Sequence, residues 1–166
     1  MPKDVAAARD FFERDDRTKK EFEKWACGLI AAYPQGGGRK GADGGVDGTF
    51  WFGPKKEHKA VVSVKGGRNV GVAMVRELSG VAKSTGAAVG ILLSLEEPTK
   101  PMRDWAAQAG TFTDASMGTV PRIQIVTVEE ALRDGPAALA VNRMRHADTY
   151  KAAPKEEDRS AQGSLL

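Results

Sequence analysis

The sequence predicts an α/β domain in which helices flank a mixed central β-sheet. Two features support this fold class. Segments with apolar residues at helical spacing alternate with strand-like apolar runs, in the order α-β-β-α-β-α-β-α. The chain has 166 residues, of which 41% are hydrophobic, and this is enough for one domain with a real core.

The first predicted helix follows a charged N-terminal segment, residues 1–17. Thr18 and Glu21 have the spacing of a capping box, which predicts that the helix begins at Thr18. Its apolar residues recur at helical spacing: Phe22, Trp25, Ala26, Leu29, Ile30 and Tyr33. Pro34 and the glycines after it end the helix.

A β-hairpin is predicted next. Residues 46–52 and 59–65 have strand-like patterns, and the six residues between them suit an antiparallel connection. If the hairpin is centred near residue 56, Asp47 pairs with Lys65 and Thr49 pairs with Ser63. Residues on opposite strands then share one polar face.

Helices and buried strands alternate in the second half of the chain. Helices are predicted over 70–84, from Thr99 to just before Gly110, and over 127–133, with strands at 87–93 and 122–127. These elements complete a domain over residues 18–135. Residues 136–166 lose the apolar periodicity and are predicted to be a largely disordered C-terminal tail.

Composition excludes several classes of protein. No apolar run reaches 18 residues, which predicts no membrane span. The charged start and the single cysteine, Cys27, predict a cytoplasmic protein without an internal disulfide. Cys27 is expected to be a packed thiol. His58 and His146 lack zinc-ligand spacing, Ser63 has no histidine partner in view, and the glycines at 36–38 are not a phosphate-binding loop opening a helix.

Positive charge gathers around the hairpin. Residues 34–76 contain eight Lys or Arg and three acids, a net +5, so the rest of the chain carries −2 of the total of +3. This distribution favours a polyanionic partner such as DNA, although a solvated lysine-rich turn at 55–59 is the alternative. Arg39, Lys40 and Arg68 are candidate phosphate contacts, and Gly66 and Gly67 would permit close approach of a phosphate backbone.

The hairpin carries the residues that suit phosphodiester chemistry. Mg²⁺ prefers hard oxygen ligands, which the Asp47 carboxylate and the Val64 carbonyl would supply. Lys65 would orient the attacking water and offset charge on the phosphate. Glu23 is either a further ligand or a solvated glutamate. Asp43 could touch a metal, but an Asx-type turn is the more usual role of such a residue.

These residues resemble the PD-(D/E)xK nucleases, and in particular the Mrr-like restriction endonucleases. The resemblance lies in Phe22-Glu23, Val46-Asp47-Gly48 and Ser63-Val64-Lys65, and covers about residues 18–133. A variant of the domain that occurs with bacterial DNA methyltransferases is similar in further stretches, including Gly41–Gly48 and Glu97–Met102.

The resemblance implies a restriction-endonuclease-like fold and Mg²⁺-dependent cleavage of DNA, with Mn²⁺ as an alternative cation. It implies a role in restriction or phage defence, often as a homodimer, with a DNA methyltransferase as a further partner. Asp47 and Lys65 would be the catalytic pair, supported by Glu23. Ser63 departs from the family, which usually has Gln or Glu there. That departure keeps a second hypothesis open, a non-catalytic DNA-binding or partner-docking module.

Overall fold

A computed structural model describes residues 1–35 and 45–145. The helices are α1 (Val5–Glu13), α2 (Asp16–Leu29), α3 (Val72–Ser84), α4 (Lys100–Gln108) and α5 (Val128–Asp134). The strands are β1 (Tyr33–Pro34), β2 (Gly48–Phe52), β3 (His58–Lys65), β4 (Val89–Ser94), β5 (Thr111–Asp114), β6 (Gly118–Pro121) and β7 (Ile123–Thr127). Two 3₁₀ turns follow, at Gly135–Ala138 and Ala140–Met144. Within these ranges no helix is both long and apolar enough to cross a bilayer.

The central sheet has five strands in the order β1-β2-β3-β4-β7. The pairs β1–β2 and β2–β3 are antiparallel, whereas β3–β4 and β4–β7 are parallel. The predicted mixed sheet flanked by helices is therefore confirmed. β3 is the central strand, and its residues from Ala60 to Val64 are buried. The end of β3 is thus a rigid platform for any side chain that projects from it.

Each face of the sheet packs against its own set of helices. On one face, Phe50, Val62, Val64 and Ile91 belong to a core with residues of α1, α2, α5 and the 3₁₀ turns. On the other face, Val61, Leu92 and Ile123 pack with residues of α3 and α4. Alternate residues of β3 thus enter opposite cores, as the two-residue period of a strand requires.

The N-terminal segment is more ordered than its charge suggests. Residues 5–13 form α1, whose Phe11 and Phe12 make edge-to-face contacts with Phe22 at centroid distances of 6.3 and 5.2 Å. The predicted start of the next helix at Thr18 is wrong. Asp15 is the N-cap, its carboxylate accepts the Thr18 N–H at 2.9 Å, and Thr18 completes the capping box from the third helical position.

Two further parts lie outside the predicted order of elements. β5 and β6 form a separate two-stranded hairpin between α4 and β7. The ordered chain also extends beyond residue 135, because Leu139, Val141 and Met144 of the 3₁₀ turns are buried in the core. The Val141 N–H donates to the Gln124 side-chain carbonyl at 3.2 Å, which fastens this segment to β7. The rest of the predicted tail, residues 146–166, lies outside the described residues.

Candidate active site

The β2–β3 hairpin has a different register from the predicted one. Gly48 pairs with Val62 and Thr49 with Val61, so paired residue numbers add to 110 instead of 112. The predicted pairings of Asp47 with Lys65 and of Thr49 with Ser63 are therefore wrong by two residues. The turn between the strands, residues 53–57, is centred on residue 55 instead of residue 56, and within it Gly53 and Lys56 adopt positive φ, 103° and 54°. An even shift preserves which side chains share a face.

Asp47 stands where the regular pairing of β2 and β3 stops. Its N–H donates to the Val62 carbonyl at 2.8 Å, although Val62 is already paired with Gly48, an arrangement typical of a β-bulge. Its carboxylate then accepts the Val64 N–H at 2.7 Å. The Asp47 side chain thus accepts a hydrogen bond from the Val64 N–H, which a backbone carbonyl of β2 would accept if the strand pairing continued. This bond fixes the orientation of the carboxylate.

The Asp47 carboxylate bonds to the residue of β3 that separates Ser63 from Lys65. Val64 lies between Ser63 and Lys65, whose side chains project from the same face of β3 because they are two residues apart. Ser63 is buried and Lys65 is partly buried. The Asp47 carboxylate therefore lies at the C-terminal end of the central strand, at the residue between Ser63 and Lys65. That the three side chains form one catalytic site stays a prediction.

Glu23 lies on α2, which packs on the face of the sheet that carries Val62 and Val64. Glu23 is half-buried, and one turn further along α2 the Cys27 thiol lies 3.5 Å from the Asp47 carbonyl oxygen. Burial, and after it the negative charges of Asp47 and Glu23, raise the pKa of Cys27 to about 12. Both carboxylates are thus within electrostatic reach of one thiol. Cys27 is a buried, protonated thiol, which confirms the predicted packing role.

A cavity of about 60 Å³ opens on the face of β3 that carries Ser63 and Lys65. Gly45 and Val46, immediately before Asp47, form one side of it, and α3 contributes Met74 and Glu77. Glu77 could not be identified from the sequence, because this residue lies twelve residues after Lys65 in a helix, outside the motif formed by Asp47, Ser63 and Lys65. Glu77 is exposed and lines the cavity from the helix face that also carries Met74 and Val81.

The arrangement has counterparts among known proteins. A family model described as a restriction endonuclease, Mrr_cat, matches residues 15–127. The chain belongs to this restriction endonuclease family. The match spans more than half of the chain and includes Glu23, Asp47, Ser63 and Lys65. It confirms the resemblance and the predicted restriction-endonuclease-like fold. No curated protein matches the chain, and no solved structure matches it.

The predicted DNA contacts of this restriction endonuclease domain have unequal surroundings. Gly66 is buried, and a Cβ atom there would lie 2.4 Å from the Phe12 ring, so helix packing explains the glycine. Gly67 has open space around it. The exposed Arg68 forms a 3.1 Å ion pair with Glu13 of α1. Arg39 and Lys40, together with Asp43, lie outside the described residues.

A second polar cluster lies at the opposite end of the hairpin. Glu57, His58 and Asp114 bring potential ligand atoms within 4.8 Å of one another, and Asp114 is too distant in sequence for a spacing rule to reveal this. His58 bonds to one Asp114 oxygen at 2.9 Å, and Ser116 and Met117 donate to the other. The bond from His58, then those from Ser116, lowers the pKa of Asp114 to about 2. The cluster fastens the β5–β6 hairpin to the turn between β2 and β3.

The residues around Asp47 suit a hard divalent cation. Carboxylate and carbonyl oxygens are what Mg²⁺ requires, and both types occur here in Asp47, Glu23 and the Val64 backbone. The softest nearby atom, the Cys27 sulfur, stays protonated at neutral pH because its pKa is about 12. The donor set therefore fits Mg²⁺ or Mn²⁺ better than zinc.

Proposed function

We propose that this chain is a Mg²⁺-dependent DNA endonuclease, with Mn²⁺ as an alternative cation. The observation that carries the proposal is the bond from the Val64 N–H to the Asp47 carboxylate, 2.7 Å long, at the strand end between Ser63 and Lys65. This bond orients the carboxylate at the residue of β3 that precedes Lys65, and so supports the proposal. Membership of a restriction endonuclease family supports the same reaction.

Each residue then has a defined part in phosphodiester hydrolysis. Asp47, the Val64 carbonyl and Glu23 would hold the cation. When bound, the cation supplies positive charge that polarises the phosphate and its attacking water. Lys65 donates hydrogen bonds to that water and to a phosphate oxygen, and its charge offsets the negative charge that builds on the phosphate. The bulge at Asp47 holds its carboxylate in place before substrate arrives, which reduces the cost of ordering the site.

The distribution of charge supports DNA as the substrate. The segment 34–76, which contains Asp47, carries a net +5, and Arg39, Lys40, Gly67 and Arg68 are the proposed contacts to phosphates. Gly66 would take part only through its backbone, because Phe12 occupies the space beside its Cα. DNA affinity should therefore fall steeply as salt concentration rises.

Nicking of supercoiled plasmid in Mg²⁺ tests this proposal. We expect cleavage by the natural protein and a loss of at least about 100-fold in rate for Asp47→Asn and for Lys65→Met. Asparagine keeps an oxygen that can accept the Val64 N–H, so the fold should be retained. Lys83→Met, on the exposed surface of α3, is the matched control and should cut normally. Full activity in either site variant would refute the assignment.

Ser63 favours a second candidate function, a non-catalytic DNA-binding or partner-docking module of a restriction-modification system. A hydroxyl is a poorer Mg²⁺ ligand than a carboxylate, and Ser63 is only 7% exposed. Salt-sensitive DNA binding without cleavage in Mg²⁺ or Mn²⁺ would support this candidate. A role in restriction or phage defence, a homodimer and a DNA methyltransferase partner stay predictions. Sedimentation of the purified protein would test the homodimer.

A further inference from the structure

An exposed aromatic patch lies at the edge of the central sheet. Met1, Tyr33 and Trp51 are the exposed large hydrophobic residues of the described chain, and the latter two belong to the neighbouring strands β1 and β2. Tyr33 pairs with Thr49, so Trp51 is its diagonal neighbour, two residues further along β2. Diagonal neighbours on one face lie within reach of aromatic side chains. Tyr33 and Trp51, 73% and 50% exposed, therefore form one patch.

The helices leave this part of the sheet uncovered. Trp51 lies on the face of β2 opposite Phe50 and Phe52, which are buried in the core that α1 and α2 cover. On the face that carries Trp51, the core beneath α3 and α4 contains no residue of β1 or β2 among those described. The two aromatic rings are therefore open to a ligand that approaches from this side.

The patch shares its face of the sheet with two of the predicted catalytic residues. Trp51 pairs with Lys59, and Lys59, Ser63 and Lys65 alternate along one face of β3. Ser63 follows Lys59 by four residues, which is about 13 Å of strand. That length corresponds to roughly four base steps of DNA at about 3.4 Å each. A DNA strand bound at Ser63 and Lys65 therefore reaches Trp51 along the same face.

The charge beside the patch suits the phosphates of a nucleic acid. Lys55, Lys56 and Lys59 lie in the turn that follows β2 or at the start of β3. Glu57 is the acidic residue among them, and its carboxylate accepts the Lys55 N–H at 2.9 Å. The segment 55–59 thus carries +2 with histidine neutral. Aromatic rings beside lysines are the combination by which proteins bind single strands, because bases stack on the rings while the cations meet the phosphates.

We propose that Tyr33 and Trp51 form a stacking platform for unpaired bases, and that the domain binds single-stranded DNA there. Bases within a duplex already stack on one another, so unpaired bases are the ones with a free face for these rings. The inference rests on the proposed function, since the bound strand continues to the site at Lys65. It narrows the substrate to DNA with an unpaired segment within about four nucleotides of the cut.

Binding of a fluorescent oligothymidylate in EDTA, followed by fluorescence anisotropy, tests the platform without any cleavage. We expect Trp51→Ala and Tyr33→Ala each to weaken binding by about 5-fold or more, because one stack of a base on an aromatic ring contributes at least that much. Trp51→Phe keeps a ring and should retain most of the affinity. Unchanged affinity in Trp51→Ala, or no binding of the strand by the natural protein, would overturn the proposal.

A strand of abasic sites gives a second test, which needs no variant of the protein. Such a strand keeps the phosphates but has no bases, so the natural protein should bind it about 5-fold more weakly than oligothymidylate, or weaker still. Equal binding of the two strands would refute stacking. Lys59→Met should weaken the binding of both strands and reduce its dependence on salt, whereas Lys83→Met, on the exposed surface of α3, should change neither.

The two proposals fail in different ways. A protein that binds single strands through Trp51 but never nicks DNA would sink the endonuclease proposal and leave the platform standing. A protein that nicks plasmid while Trp51→Ala binds oligothymidylate normally would do the opposite. A dimer that Trp51→Ala dissociates in sedimentation, with single-strand binding unchanged, would make the patch an interface between two copies of the chain and refute the platform.

Discussion

A substitution at Gly66 can distinguish a packing role of this glycine from a DNA-binding role. An alanine Cβ at 66 would lie 2.4, 2.6 and 2.7 Å from three atoms of the Phe12 ring. Ordinary contact begins at 3.4 Å, so the ring must retreat by about 1 Å (3.4 minus 2.4). The Phe22 ring packs against the Phe12 ring at a centroid distance of 5.2 Å. Close packing of this kind limits how far the Phe12 ring can move.

The expected cost of Gly66→Ala is therefore that of overpacking a core, about 1–3 kcal/mol. For a chain of this size that cost corresponds to a fall of roughly 2–12 °C in Tm. Gly67→Ala is the matched control, because a Cβ at 67 meets nothing within 4 Å. Its effect should stay within about 0.5 kcal/mol. Thermal unfolding followed by circular dichroism measures both.

A double-mutant cycle with Phe12→Ala completes the test. Removing the ring should make Gly66→Ala almost harmless, with a coupling of roughly 1–3 kcal/mol between the two changes. If Gly66→Ala kept the natural Tm but lost DNA affinity, the packing explanation would be refuted and a phosphate contact would explain the glycine. DNA affinity measured on the folded variant distinguishes the two outcomes.

Three further predictions follow from individual bonds. Asp47→Ala should destabilise the fold by about 1–3 kcal/mol in urea, because the Val64 N–H loses its acceptor, whereas Asp47→Asn should cost less; equal losses would contradict this. The pKa of Asp114 lies below its ordinary value of 3.8, at about 2, so its contribution is complete above pH 3.8 and disappears as pH falls through 2. Acid unfolding should show that loss, and Asp114→Asn should flatten it. Cys27, with a pKa of about 12, should resist a disulfide reagent at pH 8 until the protein unfolds.

The longer strands and helices were predictable because each has a regular pattern of apolar residues along its whole length. β4 is buried along its whole length, and α3 repeats its apolar residues at helical spacing, so local sequence and tertiary packing agree. The register of the β2–β3 hairpin could not be predicted in the same way, because the turn contains positive φ at Gly53 and Lys56. Lysine carries no sequence signal for that conformation. The prediction that Ser63 and Lys65 share one face still holds, because the register differs from the predicted one by two residues, an even number.

The missing parts share a different cause. β1 is two residues long, and β5 and β6 are four each, with exposed or half-exposed residues along most of their length. Strands this short and exposed lack the apolar alternation that makes a strand recognisable. Asp114 reaches Glu57 and His58, and Glu77 reaches the cavity, only through folding, from a hairpin and a helix that follow the motif in the chain. No local spacing encodes such partners.

The position of α1 has a consequence for where this molecule can be divided. The family match starts at residue 15, yet α1, which ends at Glu13, covers Phe22 and Gly66 and forms the Arg9–Glu96 and Glu13–Arg68 ion pairs. A protein shortened to the family boundary would present the aromatic surface of α2 to water, together with the end of β3 at Gly66. Exposed apolar surface of that kind promotes self-association. The family match therefore begins inside the packed part of the molecule, after a helix whose residues belong to its core.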